Sequence, residues 1–316
     1  MIMLDEPRLR SRQAYEMQIE RGLEYLTELP GLLSVYQVGG VGTPGISDID
    51  LVAVFEDDVS ISHDPRKNLD RYLFTHPLFG APLRIFEKSK NYAFFHNATL
   101  LHGEDVGMAR EDLRAGIVKD QWRIEFLLKC YINLSVWKAY DFIKVRSLLL
   151  NVRALEYDLG LDSVDLSELQ DQVQKVLNWR EAWFVARPTD NQLLGCFETV
   201  LTALERVLGD LAKQSRLRFE IKQDFKINHN IHVKKSSNFY CGKAGFSLPI
   251  LNPQWSKKIN AINVRLSKVT IGCPIDFDGE DGELAEFFEY NREAIAANKL
   301  ALPRFMPLAS SFQSAQ

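Results

Sequence analysis

The chain has 316 residues, 46% hydrophobic, 11% aromatic and 25% charged, with a formal charge of −4. That excludes a disordered chain and a polyanion binder working by bulk charge, and at this length two or three domains are expected. The greasiest stretch, Trp122 to Leu150, is broken by Arg123, Glu125, Lys129, Lys138, Asp141, Lys144 and Arg146, which excludes a bilayer span there.

Taken in order, residues 10–29 predict a helix, with Tyr15, Ile19, Leu23 and Leu26 on one face and Pro30-Gly31 as its stop. Leu33 to Val38 is an apolar run ending in Gly39-Gly40, and Ile49 to Phe55 a second; both predict strands. Asp64-Pro65 opens an expected helix that ends before His76-Pro77. Leu83 to Glu87 and Tyr92 to Leu101 are the third and fourth expected strands. Residues 112–158 predict one long helix or two consecutive ones, 168–186 another, and 192–214 the most regular, its apolar positions keeping a 3-and-4 rhythm. These helices are expected to pack as a bundle. Alternation in 217–221 and 262–266 predicts strands, with loops around Gly242, Gly245, Pro249 and Pro253, and a last helix over 281–298.

Met1 to Leu4 run straight into Asp5, Glu6 and Arg8, which is not a secretory leader pattern, and a cytoplasmic protein is expected. Cys130, Cys196, Cys241 and Cys273 are too dispersed for a metal knuckle and are read as buried reduced thiols. The tryptophans at 122, 137, 179 and 183 fall in helical patterns and are read as core.

The chemistry concentrates in residues 35–55. Strand side chains reverse face at each residue, so Asp48 and Asp50 point the same way. Two carboxylates on one face repel each other unless a divalent cation lies between them. Magnesium prefers carboxylate and phosphate oxygens, which makes a nucleoside triphosphate the natural third party. Gly39, Gly40, Gly42 and Gly45 allow close backbone approach to such a ligand, and Thr43 and Ser47 add hydroxyls.

An apolar strand, Gly-Gly, and Pro44-Gly45-Ile46-Ser47-Asp48-Ile49-Asp50-Leu51 together resemble the signature of the DNA polymerase β-like nucleotidyltransferases. Position 40 is Gly where that family often has Ser, which removes one hydroxyl contact. Leu101-His102-Gly103-Glu104-Asp105 is similar to the run that closes the family's catalytic domain. The resemblance covers about residues 10–150.

The expected architecture is α/β (α+β): the resemblance implies a small mixed-sheet nucleotidyltransferase domain at 1–110, and the changes of residue pattern near Arg110 and Arg216 add a helical domain at 111–215 and a C-terminal α+β module at 216–316. The resemblance implies that Gly39, Gly40, Thr43 and Ser47 receive the triphosphate. Two Mg²⁺ ions, replaceable by Mn²⁺, would be held by Asp48, Asp50 and a third acid, for which Glu87 is the candidate. The implied reaction transfers a nucleoside monophosphate from an NTP, ATP first among them, to an acceptor hydroxyl with release of pyrophosphate, Glu87 being able to take the proton. The acceptor is a small molecule such as a sugar or antibiotic, or a macromolecule, and the acidic balance disfavours nucleic acid.

The alternatives are plain. Glu87 also reads as a solvated acid beside Lys88 or Lys90, Glu56-Asp57-Asp58 as a solvated turn, and Glu104 and Asp105 as helix-capping acids. His229 and His232 lack a third ligand at a metal spacing. From a different functional class, the domain could bind nucleotide without turnover, as a regulatory or toxin-neutralising module. The third acid separates that reading from an enzyme.

Overall fold

The computed structural model describes residues 1–62, 69–75, 78–89, 98–106, 117–217, 224–228, 230–246, 248 and 255–274, with single positions at 285, 289, 292, 293 and 296. The fold is mixed α and β. The chain divides into two compact units: Arg8–Lys119 with Glu283–Pro307, and Met1–Pro7 with Asp120–Gly282 and Leu308–Gln316. The middle helices and the sheet after them fall in this one second unit, with no division at 215–216. A short strand, β1 (Ile2–Leu4), opens the chain and pairs within the second unit.

In the first unit, Ser11 caps helix α1 (Arg12–Thr27), its Oγ accepting the Ala14 N–H at 3.2 Å. Gly31, at φ +66°, then turns the chain into β2 (Leu32–Val38). Strand β3 (Asp50–Phe55) runs antiparallel to β2. Strand β4 (Phe79–Pro82) lies parallel to β3, and β5 (Ala98–Gly103) antiparallel to β2, giving the order β4-β3-β2-β5 among the described residues. Ile49, Leu51, Ala53 and Phe55 enter one core with Tyr15 and Leu26 of α1 and with Leu69, Leu73 and Phe74. The odd-numbered residues of β3 therefore face this core, while Val52 and Val54 are buried on the other face. Helix and strand approach closely at Gly22, where an added Cβ would lie 2.9 Å from Leu51 Cδ1.

Two sequence expectations fail here. Residues 83–87 form no strand; they belong to helix α2 (Leu83–Ser89), directly after β4. A strand would have set Leu83, Ile85 and Glu87 on one face. The helix instead buries the adjacent pair Ile85 and Phe86 and leaves Glu87 exposed. Pro82 precedes its first turn, and the Asp57 carboxylate accepts the Arg84 N–H at 2.9 Å, so the acidic turn after β3 serves the helix start. The helix expected from Asp64-Pro65 does not cover 69–75, which form turns closed by Leu73 and Phe74 N–H groups on the Asp70 carbonyl. Residues 63–68, 76–77 and 92–97 lie outside the described residues.

The second unit carries helix α3 (Ile117–Ala139) from Asp120 onward, and helices α4 (Val145–Ala154), α5 (Ser167–Ala182) and α6 (Asp190–Lys213). Strand β6 (Phe142–Lys144), between α3 and α4, pairs in parallel with β1. Helix α5 packs on α4 and α6. In α6 the expected face (Leu193, Phe197, Val200, Leu204, Leu208 and Leu211 among it) is buried, and Thr189 and Gln192 close a reciprocal capping box. Trp122, Trp137 and Trp183 are buried, as are Cys130, Cys196 and Cys273, while Cys241 is exposed; all four cysteines are free thiols.

Asp158, in the short 3-10 turn after α4, is buried, and burial pushes its carboxyl well above the ordinary 3.8, with Arg123 and Lys129 only partly opposing. The native state therefore holds a proton that the unfolded chain releases, so this group's stability contribution is present at acid pH and fades as pH rises above the ordinary carboxylate range. Asp158→Asn should raise the melting temperature at pH 7.5 and change it little near pH 4. Parallel pH profiles for the two proteins would contradict this assignment.

The remaining strands, β7 (Asp224–Asn228), β8 (Ile231–Lys235), β9 (Tyr240–Gly245) and β10 (Ser267–Cys273), form a sheet ordered β7-β8-β10-β9 among the described residues. Residues 262–266 are not a strand but the end of helix α7 (Ser256–Leu266). Their apolar alternation misleads because the buried positions are polar: Asn260, Asn263 and then Ser267. Asn263 binds the backbone of Leu248 through both ends of its amide, at 2.7 and 3.0 Å. Gly242 and Gly245, expected in loops, lie inside β9; a Cβ at Gly245 would sit 2.7 Å from the Leu266 carbonyl oxygen. The expected strand over 217–221 and the expected helix over 281–298 fall almost wholly outside the described residues.

Candidate functional site

The acid pair lies where β2 and β3 open. In the antiparallel register Val38 stands opposite Asp50, and Gly39 follows Val38 directly. Ile49 is buried in the core shared with α1, between half-buried Asp48 and Asp50. Asp50 opens β3 on the sheet face opposite that core, at the end carrying the glycine bend, and Asp48 lies two residues before it, outside the strand. Gly39 takes φ +69°, and Cβ atoms added at Gly39, Gly40 or Gly42 would meet nothing within 4 Å among the described residues. The backbone of the bend is open to a ligand.

Between bend and acids, residues 43–47 make one tight turn. The Thr43 carbonyl accepts N–H groups from Ile46 at 3.0 Å and Ser47 at 2.8 Å, and Thr43 N–H donates to Ser47 Oγ at 3.0 Å. Two phenols fasten this turn. Tyr15, from α1, donates to the Ser47 carbonyl at 2.7 Å and accepts the Gly45 N–H at 2.9 Å. Tyr72 donates to the Gly45 carbonyl. The Thr75 hydroxyl donates to Asp48 Oδ2, so segment 69–75 holds both the turn and the first acid.

Tyr15→Phe is expected to cost about 1–3 kcal/mol, because it strips hydrogen bonds from two buried backbone groups. Urea unfolding checks it; a change within a few tenths would show that the phenol is not a strut.

Further along this face Tyr36, opposite Val52, stacks on Phe86 of α2 with ring centroids 5.3 Å apart. Its hydroxyl donates to Asp105 Oδ1 at 2.9 Å and accepts the Val106 N–H at 2.9 Å. Burial, reinforced by the Asp105 carboxylate, raises the Tyr36 phenol to about 12, so it remains a donor at neutral pH. Asp105 is thus held by Tyr36, while residues 107–116, between it and helix α3, lie outside the described residues.

Of the residues singled out from sequence, Gly39, Gly40, Asp48 and Asp50 come together around one bend. Thr43 and Ser47 close the turn beside it, and Ser47 is buried with its hydroxyl oxygen engaged by Thr43 rather than facing outward. Glu87 is exposed on α2 and not on a strand. Among the described residues no group of three or more His, Cys, Asp or Glu side chains is arranged to hold a metal ion. Asp48, Asp50 and Glu87 therefore form no such trio. His232 lies on β8, and His229 lies outside the described residues. Sequence reading missed Tyr15, Tyr72 and Thr75. The only signal for the first was a phenol on an otherwise aliphatic helix face.

Among the described residues no helix is long and apolar enough to cross a membrane. Compared with known proteins, the chain matches no family model, no curated protein and no solved structure.

Proposed function

We propose that the chain is a nucleotidyltransferase that binds a nucleoside triphosphate, ATP first among them, at the Gly39-Gly40 bend. It passes the nucleoside monophosphate to an acceptor hydroxyl. The acceptor hydroxyl gives its proton to water as its oxygen bonds to the α-phosphorus, the bond from that phosphorus to the bridging oxygen breaks, and pyrophosphate leaves. The observation that supports this reading is the pairing of Asp50 with Val38, which sets one carboxylate, with a second two residues before it, beside an open glycine turn.

The donor set suits a divalent cation completed by phosphate oxygens: two hard carboxylates, half-buried and two residues apart. Asp48 and Asp50 would hold it, with Thr75 orienting Asp48. Bound magnesium or manganese would offset triphosphate charge and polarise the α-phosphoryl group. The open backbone at Gly39 and Gly40 gives phosphate oxygens access to N–H donors. A second ion would take its remaining ligands from the substrate, because Glu87 stands outside the pair.

That exposed Glu87 favours a second reading, in which the chain binds metal and nucleotide without turnover. Incubation with four α-labelled NTPs, Mg²⁺ and a cell extract separates the two. Label on an acceptor supports the enzyme. Tight NTP binding with no labelled product supports the binder, and no binding at all removes both.

A further inference from the structure

A triphosphate beside Asp48 and Asp50 creates a charge problem that the surrounding sequence does not solve. No Lys or Arg occurs between Arg21 and Arg66, while eight Asp and Glu residues do. One divalent cation is already balanced by the two aspartates. Further positive charge has to come from elsewhere in the chain.

The structure brings two arginines to Tyr72, whose hydroxyl holds the turn that leads from the bend to the acids. Arg8 N–H donates to the Tyr72 hydroxyl at 2.6 Å, the same hydroxyl that donates to the Gly45 carbonyl. The backbone just before α1 is thereby fixed one side chain away from the turn between the bend and the acids. Both guanidinium groups lie over the Tyr72 ring, Arg8 Cζ 5.7 Å and Arg10 Cζ 5.1 Å from its centroid. Stacking on a ring holds a guanidinium in place while leaving its N–H edge available, which an ammonium does not do as well.

Neither charge is consumed by a close ion pair among the described residues. Arg8 is exposed, and Arg10 approaches Asp70 only to 3.9 Å. The buried Arg10 Nε–H finds no acceptor among the described residues. Asp70 is occupied otherwise, its Oδ1 accepting the Tyr72 N–H at 2.8 Å.

We propose that Arg8 and Arg10, racked on Tyr72, form the cationic wall of the glycine bend and bind the terminal phosphates of the triphosphate. This inference rests on the nucleotide reading above. It adds a selectivity that reading lacks: the arginines act on the β- and γ-phosphates, so triphosphate is preferred over monophosphate.

The test is calorimetric titration of Mg·ATP, AMP and Mg·tripolyphosphate into the wild type, R8Q/R10Q and R8K/R10K, with thermal melts of each. The double Gln variant should lose roughly 10- to 100-fold in affinity for ATP and tripolyphosphate. Its AMP binding should stay unchanged, and the Lys variant should fall between the two. If the double variant melts early, R8Q alone, at an exposed side chain, supplies the reading. Wild-type ATP affinity in folded R8Q/R10Q overturns the inference and leaves the nucleotide site standing. Absence of triphosphate binding by the wild type overturns both.

Discussion

Asp50→Asn, and separately Asp48→Asn, is expected to lower nucleotidyl transfer by about three orders of magnitude, since a metal's charge stabilisation of the transition state is worth several kcal/mol and each 1.36 kcal/mol is tenfold. Asn keeps the shape of the side chain and loses its charge. The strand should be untouched, because Leu51 to Phe55 and Ile49 supply the packing and the acids sit half-buried at its open end. At position 48 an amide oxygen can still accept the Thr75 hydroxyl. Rates with the labelled acceptor, together with melting temperatures, check this. Full activity in either variant would exclude a metal-holding role.

Gly103→Ala is the largest stability effect expected. Gly103 ends β5 opposite Ser34 at φ +82°, and an added Cβ would lie 1.9 Å from the Leu33 carbonyl oxygen. The obstacle is backbone in the middle of the sheet, not a side chain that can swing away. Left-handed strain costs about 1–3 kcal/mol and forced overpacking about as much again. Together they approach the total stability of many domains, on the order of 5–15 kcal/mol. Gly40→Ala, in open space, should be nearly neutral by the same urea assay. Equal stability of the two variants would mean that β5 does not close on Leu33 as described.

Part of the scaffold was legible in the sequence. Strands β2 and β3 could be read because each is a short apolar run bounded by glycines or acids, and α6 because its buried face repeats at helical spacing over 24 residues. Residues 83–87 and 262–266 were misread because a five-residue window of alternating polarity does not distinguish a strand from a helix. The decisive facts were tertiary: Asp57 reaching Arg84, and Asn263 clasping Leu248. Position 87 inherited that error. The struts of the site were illegible for another reason. Tyr15, Tyr72 and Thr75 act on backbone or carboxylate atoms that are 27 to 32 residues distant in sequence, and a hydroxyl carries no pattern announcing its target.

Mn²⁺ titrated in the presence of ATP and followed by its electron paramagnetic resonance signal is the shortest route to the central claim. The free-ion signal should fall on addition of wild-type protein beyond what ATP alone removes, and this extra loss should vanish in folded Asp48→Asn and Asp50→Asn. Undiminished Mn²⁺–ATP uptake by both variants would contradict the account, because the ion would then be held without the two carboxylates assigned to it.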